Sequence, residues 1–330
     1  VSAINNILLI RFKSIGDVVL TLPAVHVVRE NFPGSRITFF TVCENAPLLE
    51  GFRDVNEVIA LDRGALKKPL RAAPEFFGLL RRLRAGKFSL VVDFQGYGET
   101  AWLARFTGAP ERWGVVYGRG RKWAYTTGIA RDNRLLIADW NLSLLKQCGL
   151  QVGNIRNEYI LPTGALETAR RIFAANRLDP ERQTLFIQAF TSTPHKNWPL
   201  ENYLSLAAYW RKRGVQVIFG GGHGDIAALE PARAAGYCVA AGNPLLVSSG
   251  LVKLSTVTIG GVTGLLHLAV AMQKKVVMLV GPASEPGFPY QHRDWGLTPE
   301  TGDNVADIQI PAVITACAKA FNEPAGNASC

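Results

Sequence analysis

Short runs of consecutive apolar residues recur along the chain, each closed by a glycine or polar turn and followed by apolar residues at helical spacing. The first, residues 7–10 (ILLI), is continuous, as expected of a strand buried on both faces of a parallel sheet. A turn over 11–16 follows. Asp17 then opens a helix carried by Val18, Val19, Leu22, Val25 and Val28, and Pro23 in its second turn is expected to distort it. Further strands are predicted over 36–42, 55–61 and 89–94, the last ending in Gln95-Gly96. Residues 108–134, rich in Gly, Arg, Trp and Tyr, read as loop.

The same alternation restarts after Leu161-Pro162. Helices are predicted over 166–175, 200–213 and 227–235, and strands over 185–189 and 215–219, the second closed by Gly220-Gly221-Gly222. A helix over 314–321 comes last, with a return onto the first half open to it. Strands alternating with helices make this an α/β chain with doubly wound parallel sheets, in two domains, 1–160 and 161–330. Ligands are expected at the carboxyl ends of the strands. Neither half carries G-x-G-x-x-G followed by an acidic residue near the next strand end, which disfavours a nicotinamide cofactor.

The most informative stretch is 257–282, which reads strand, glycine turn, helix, strand, glycine turn. A helix starting near Thr263 would present unpaired backbone N–H groups, with Thr263 as cap and Gly264 placing no side chain before an incoming anion. That suits a diphosphate. An ordinary strand-to-helix turn with a good cap would look the same.

At 48% hydrophobic and 330 residues the chain can bury two large cores, and no apolar run reaches the ~18 residues of a membrane span. The start of the chain lacks a basic segment before its short apolar run, so a cytoplasmic protein is expected. Five scattered cysteines support neither a disulfide framework nor a zinc site. Net charge is +10. Residues 1–165 supply +8 of it, with 22 Lys/Arg against 14 Asp/Glu. Much of the excess lies in a basic, leucine- and phenylalanine-bearing stretch over 63–87. Such a stretch suits an anionic membrane surface or a phosphorylated acceptor, and a solvated helix face is the plain alternative. No nucleic-acid motif accompanies the charge.

Three segments, KSIGDVVLTLPAV (13–25), KNWPLENY (196–203) and GGVTGLLHLAVAMQKKVVMLVGP (260–282), together resemble glycosyltransferase family 9, the ADP-heptose:lipopolysaccharide heptosyltransferases, in the family's order over nearly the whole chain. The resemblance implies a GT-B fold, two Rossmann-like domains facing a cleft, the first binding the acceptor and the second a nucleotide diphosphate-sugar. It implies an inverting transfer without metal or other cofactor, onto an anionic lipid-linked glycan at the inner face of the inner membrane. Stretch 108–134 then becomes acceptor-facing surface.

Residue by residue, Asp17 matches the aspartate regarded as catalytic base in S-x-G-D, although it could equally be a helix cap, and both roles coexist only if one carboxylate oxygen stays free. Lys196 matches the lysine before Trp-Pro that would neutralise the departing diphosphate, against a plain solvent-facing lysine. Thr191 and Ser192 match a hydroxyl pair that can donate to phosphate. Thr263, Gly264 and Leu265 match T-G-x, whose amides meet the phosphates. His267 lies on the inner side of that helix, as proton carrier or packed core residue, and Asp225 is the acidic residue nearest the position used for the ribose. Where the family typically has aspartate before T-G to contact donor hydroxyls, this chain has Val262. A non-catalytic nucleotide-sugar or glycan-binding protein of the same fold is the alternative.

Overall fold

A computed structural model describes residues 4–117, 119–281 and 287–322. Gly118 of the 108–134 stretch, Pro282 of the third motif and Cys330 lie outside the described residues. The chain divides into two compact units, Val1–Asn157 and Glu158–Cys330.

In the first unit the elements run β1 (Asn6–Ile10), α1 (Ile15–Val19), α2 (Leu22–Asn31), β2 (Arg36–Val42), β3 (Glu57–Leu61), α3 (Arg63–Leu66), α4 (Pro69–Ala85), β4 (Leu90–Asp93), α5 (Gly98–Phe106), β5 (Glu111–Val116), β6 (Thr127–Ala130) and α6 (Ile137–Gln147). All six strands are parallel, in the order β3-β2-β1-β4-β5-β6. Pro23 breaks the expected helix into α1 and α2 and takes the second position of α2, where its missing N–H is harmless.

Residues 108–134 are not the loop expected from sequence: they hold β5 and β6, joined by a 3-10 segment, Arg119–Ala124. The apolar pattern is interrupted because Gly114 must leave room for Tyr125. A methyl built on Gly114 would stand 2.2 Å from that ring. Leu8, Ile10, Phe40 and Val91 pack with Leu79 and Leu83 of α4 and Leu103 of α5 into one apolar layer.

The second unit continues with α7 (Thr163–Ala175), β7 (Thr184–Gln188), α8 (Leu200–Arg211), β8 (Gln216–Gly221), α9 (Glu230–Ala234), β9 (Cys238–Ala241), α10 (Leu245–Leu254), β10 (Val257–Gly261), α11 (Gly264–Ala271), β11 (Lys275–Leu279), β12 (Gly296–Leu297) and α12 (Ile310–Asn322). Its parallel sheet runs β12-β11-β10-β7-β8-β9, which read from the other edge is the first unit's order of connection. The helix for which a return to the first half was open, α12, packs on β10, β11 and α8. In each sheet the strand order reverses once, between β1 and β4 and between β7 and β10, the switch points beside which open α/β sheets bind their ligands. Among the described residues no helix is long and apolar enough to cross a membrane.

Candidate active site

Each unit gathers its polar chemistry at its own switch point. In the first, β1 ends at Ile10 and the chain turns through Arg11 to Asp17. Arg11 is 5% exposed, an unusual place for a guanidinium, and every arm of it is used. Nε donates to Lys13 O at 2.9 Å, Nη1 to Phe94 O at 2.5 Å, and Nη2 to Asp17 Oδ2 at 2.6 Å. The same Oδ2 accepts from Ser14 N at 2.9 Å, so Asp17 closes the first turn of α1 from its third position. Both bonds fall on one oxygen. Oδ1 takes no hydrogen bond among the described residues, and the side chain is 24% exposed, so structural and chemical roles can coexist in one carboxylate.

The loop carrying Asp17 is held from β4. Gln95 Oε1 accepts from Phe12 N at 3.1 Å and Lys13 N at 2.9 Å, while Asn45 Nδ2 donates to Phe12 O at 2.7 Å. Asp93, fully buried at the end of β4, orders Gln95 in turn: its Oδ1 accepts from Gln95 N and Gly96 N, each at 2.9 Å, and its Oδ2 from Tyr125 OH at 2.7 Å. Burial pushes the Asp93 carboxyl up against these bonds, which pull it down, and burial with the neighbouring carboxylate pushes the Tyr125 phenol up.

Arg131, after β6, stacks on Trp140 with its guanidinium 5.3 Å from the ring. Burial lowers its pKa, Arg11 lowers it further and Asp17 opposes, so the three charges stand within electrostatic reach. Ile15, Tyr97, Tyr117 and Trp123 are exposed, and Tyr97 packs on Tyr117 at 5.8 Å. An arginine set directly after an apolar strand, between Ile10 and Phe12, was the available signal for Arg11. Gln95 and Asn45 carry none, because their role is set by a strand pairing more than 30 residues away.

In the second unit β10 ends at Gly261, and α11 starts from Thr263, whose Oγ1 accepts from Leu266 N at 3.3 Å. The amides of Gly264 and Leu265 are first-turn donors without an intrahelical acceptor. Gly261 brings the loop after β7 against this turn: a methyl built on it would stand 2.7 Å from Thr191 Cγ2 and 3.0 Å from Lys196 O. Thr191, Lys196 and the α11 start are therefore neighbours. Lys196 ends a 3-10 turn, Pro194–Lys196, and is half-buried. Trp198, 1% exposed, pins the loop through Nε1 to Ile308 O at 2.8 Å and packs edge-on to Tyr203 at 4.9 Å.

The Thr191 hydroxyl donates to Thr193 O at 2.9 Å and accepts from Thr193 N at 3.1 Å. Its single proton is thus used within the loop, whereas Ser192 is exposed. Asp225, after β8, is half-buried and caps its own turn, with Oδ2 accepting from Gly222 N at 2.7 Å. Leu265 and His267 are buried at 6% and 5%, so Leu265 offers an anion only its backbone, and the His267 ring belongs to the packed interior of α11. Val262 is half-buried and packs against backbone, since a methyl on Gly287 would stand 2.9 Å from its Cγ1.

Among the described residues no three His, Cys, Asp or Glu side chains gather as a metal site requires. The four described cysteines are unpaired, and burial holds the Cys148 thiol up at about 12 and that of Cys238 at about 11.

Two doubly wound units, one ending on a half-free carboxylate and the other on a lysine beside a helix start, have the makings of a two-domain group-transfer enzyme. The comparisons define it further. The profile of glycosyltransferase family 9 (heptosyltransferase) matches residues 76–302, and the chain belongs to that family: it is a glycosyltransferase. It is 28% identical over 296 residues to lipopolysaccharide heptosyltransferase 1 of Pseudomonas aeruginosa, covering 86% of this chain and 80% of that protein. Among solved structures, the glycosyl transferase family 9 protein of Veillonella parvula superposes with a TM-score of 0.87 at 22% identity, covering 97% of this chain and 98% of that one. The E. coli ADP-heptose lps heptosyltransferase II superposes at 0.79 and 22% identity, covering 96% and 98%. These likenesses show the GT-B fold.

Proposed function

We propose that the chain moves heptose, or a related sugar, from an ADP-linked donor to a lipopolysaccharide core or another lipid-linked glycan at the cytoplasmic face of the inner membrane, with inversion and without a metal or other cofactor. The donor and acceptor classes rest on family membership and on the names of the P. aeruginosa and E. coli proteins. The observation that carries the catalytic part is the Asp17 carboxylate, clamped through Oδ2 and open at Oδ1.

The first unit binds the acceptor and the second the donor in this reading. An acceptor hydroxyl gives its proton to Asp17 Oδ1 as its oxygen forms the bond to the anomeric carbon, and the bond from that carbon to the diphosphate breaks with its electron pair leaving on the phosphate. One displacement with no covalent enzyme intermediate inverts the centre. The charge that develops on the leaving group is met by Lys196, the Ser192 hydroxyl and the amides of Gly264 and Leu265, which supply the positive field a divalent ion would otherwise provide. Thr191 shapes this loop by binding Thr193, and Asp225, whose Oδ2 is taken by Gly222 N, is the carboxylate assigned to the ribose in this reading. Arg11 orients the base.

The test is a thermal-shift screen of nucleotide-sugars followed by transfer to lipopolysaccharide acceptors by the wild type and Asp17→Asn. Stabilisation by ADP-heptose and transfer abolished in Asp17→Asn are expected. Binding without transfer in the wild type would instead favour a non-catalytic binding protein, the reading to which Val262 lends its weight.

A further inference from the structure

The face of the first unit formed by α4 and α5 carries an aromatic strip that nothing in the transfer chemistry uses. Phe77 is 67% exposed, Trp102 42% and Phe76 37%. Their rings form a continuous file: Phe77 to Phe76 at 6.2 Å, Phe76 stacked on Trp102 at 6.2 Å, and Trp102 stacked on Phe106 at 5.3 Å. Arg81 follows Phe77 by one helical turn, and Arg105 follows Trp102 by three residues, so both charges flank the file. Arg84 donates to Phe106 O at 3.1 Å, and with Trp102, Arg105 and Phe106 it lines a shallow hollow of about 250 Å3.

Arg81, Arg82, Arg84 and Arg105 are all exposed, and among the described residues none forms an ion pair with a carboxylate. The charge of Arg105 is felt nearby: after burial, it is the largest influence lowering the Arg112 pKa. Exposed aromatics set in unpaired arginines lack both apolar cover and counter-charge. A surface that is anionic outside and apolar beneath supplies both.

We propose that this α4–α5 face is a membrane-docking surface, with Phe77 and Trp102 entering the headgroup boundary of an anionic bilayer and the arginines pairing with its acidic lipids. The inference deepens the lipid-linked acceptor of the proposed function but does not need the reaction. Docking holds the enzyme on the surface where such an acceptor is embedded.

The experiment uses phosphatidylcholine vesicles with and without a quarter phosphatidylglycerol, free of donor and acceptor, so its failure is separate from failure of the transferase reading. Full-length protein is expected to sediment with the anionic vesicles only, less so at high salt. Phe77→Ser, and separately Arg81→Glu with Arg82→Glu, should each lower partitioning about tenfold or more while near-ultraviolet circular dichroism stays native. Arg170→Glu with Arg171→Glu on α7 changes net charge equally and should have little effect. Wild-type binding that ignores phosphatidylglycerol, equal loss in the α7 control, or patch variants that bind as wild type would each overturn the proposal. So would a wild-type dimer that Phe77→Ser splits without loss of vesicle binding, since the face would then belong to a second copy of the chain.

Discussion

The Arg11–Asp17 pair allows a quantitative test of whether the carboxylate is positioned by a buried cation. The two charges meet at 2.6 Å, with the Arg11 side chain 6% and the Asp17 side chain 24% exposed. At an effective dielectric of about 20 and charge centres ~4 Å apart, the attraction is about 4 kcal/mol. Water at the quarter-exposed carboxylate weakens it, and a coupling of about 2 kcal/mol is expected. Arg11→Met retains the stem but leaves three acceptors, Phe94 O, Lys13 O and Asp17 Oδ2, without their donor, so its total cost should reach about 3–5 kcal/mol. Asp17→Asn keeps the size and most of the turn and should cost about 1–2 kcal/mol, chiefly the weakened bond to Arg11.

Urea unfolding of the two single variants and the double variant yields the coupling directly. Transfer assays should show Arg11→Met lowering kcat by about a hundredfold with donor KM little changed, because an unheld carboxylate no longer presents Oδ1 in one place. Arg11→Lys, which keeps the charge but cannot make three divergent bonds, should recover less than half of the lost stability. A coupling below about 0.5 kcal/mol, or full rescue by Arg11→Lys, would refute the clamp.

Gly261→Ala should raise donor KM about tenfold or more and blunt thermal stabilisation by ADP, because its methyl meets Thr191 Cγ2 and the unyielding Lys196 carbonyl. Lys196→Ala should lower kcat about a hundredfold, whereas Thr191→Ala should lower it less than tenfold and cost about 1 kcal/mol of stability, since the Thr191 hydroxyl donates its proton to Thr193 O. Equal kinetic losses would contradict that division. Asp93→Asn keeps the size and the Oδ1 acceptor of the buried carboxyl. Because the folded-state pKa is raised, the wild type is relatively most stable below the unfolded carboxyl's value of ~4 and loses stability as pH rises from there through the folded pKa. Asp93→Asn should therefore gain on the wild type as pH rises above ~4, by up to about 1.4 kcal/mol per pH unit until the folded-state carboxyl ionises. A pH-independent difference in urea midpoints would count against the raised pKa of the buried carboxyl.

Much of this protein was legible from local pattern. Residues 36–42 read as a strand, 257–259 as a strand stopping at the Gly260-Gly261 turn into which β10 in fact continues, and Thr263 as the cap of α11, because unbroken apolar runs, a glycine turn and a capping hydroxyl are signals within a few residues of one another. Elements went unread where the signal is not local. β5 gives up a side chain at Gly114 to seat Tyr125, α6 and β9 fall between the strongest runs, and α10 follows a turn with no acidic cap. Asp17, Lys196 and Thr263 could be named from motif, but their working geometry could not. That Arg11 and Ser14 take one oxygen of Asp17, that Gln95 holds its loop from β4, and that Thr191 spends its hydroxyl on Thr193 follow from strand order and from contacts between segments distant in sequence. Sequence determines which side chains are available and where backbone donors are left open. Only the folded sheet, by placing β4 beside β1 and β10 beside β7, decides which of those groups remain free to act.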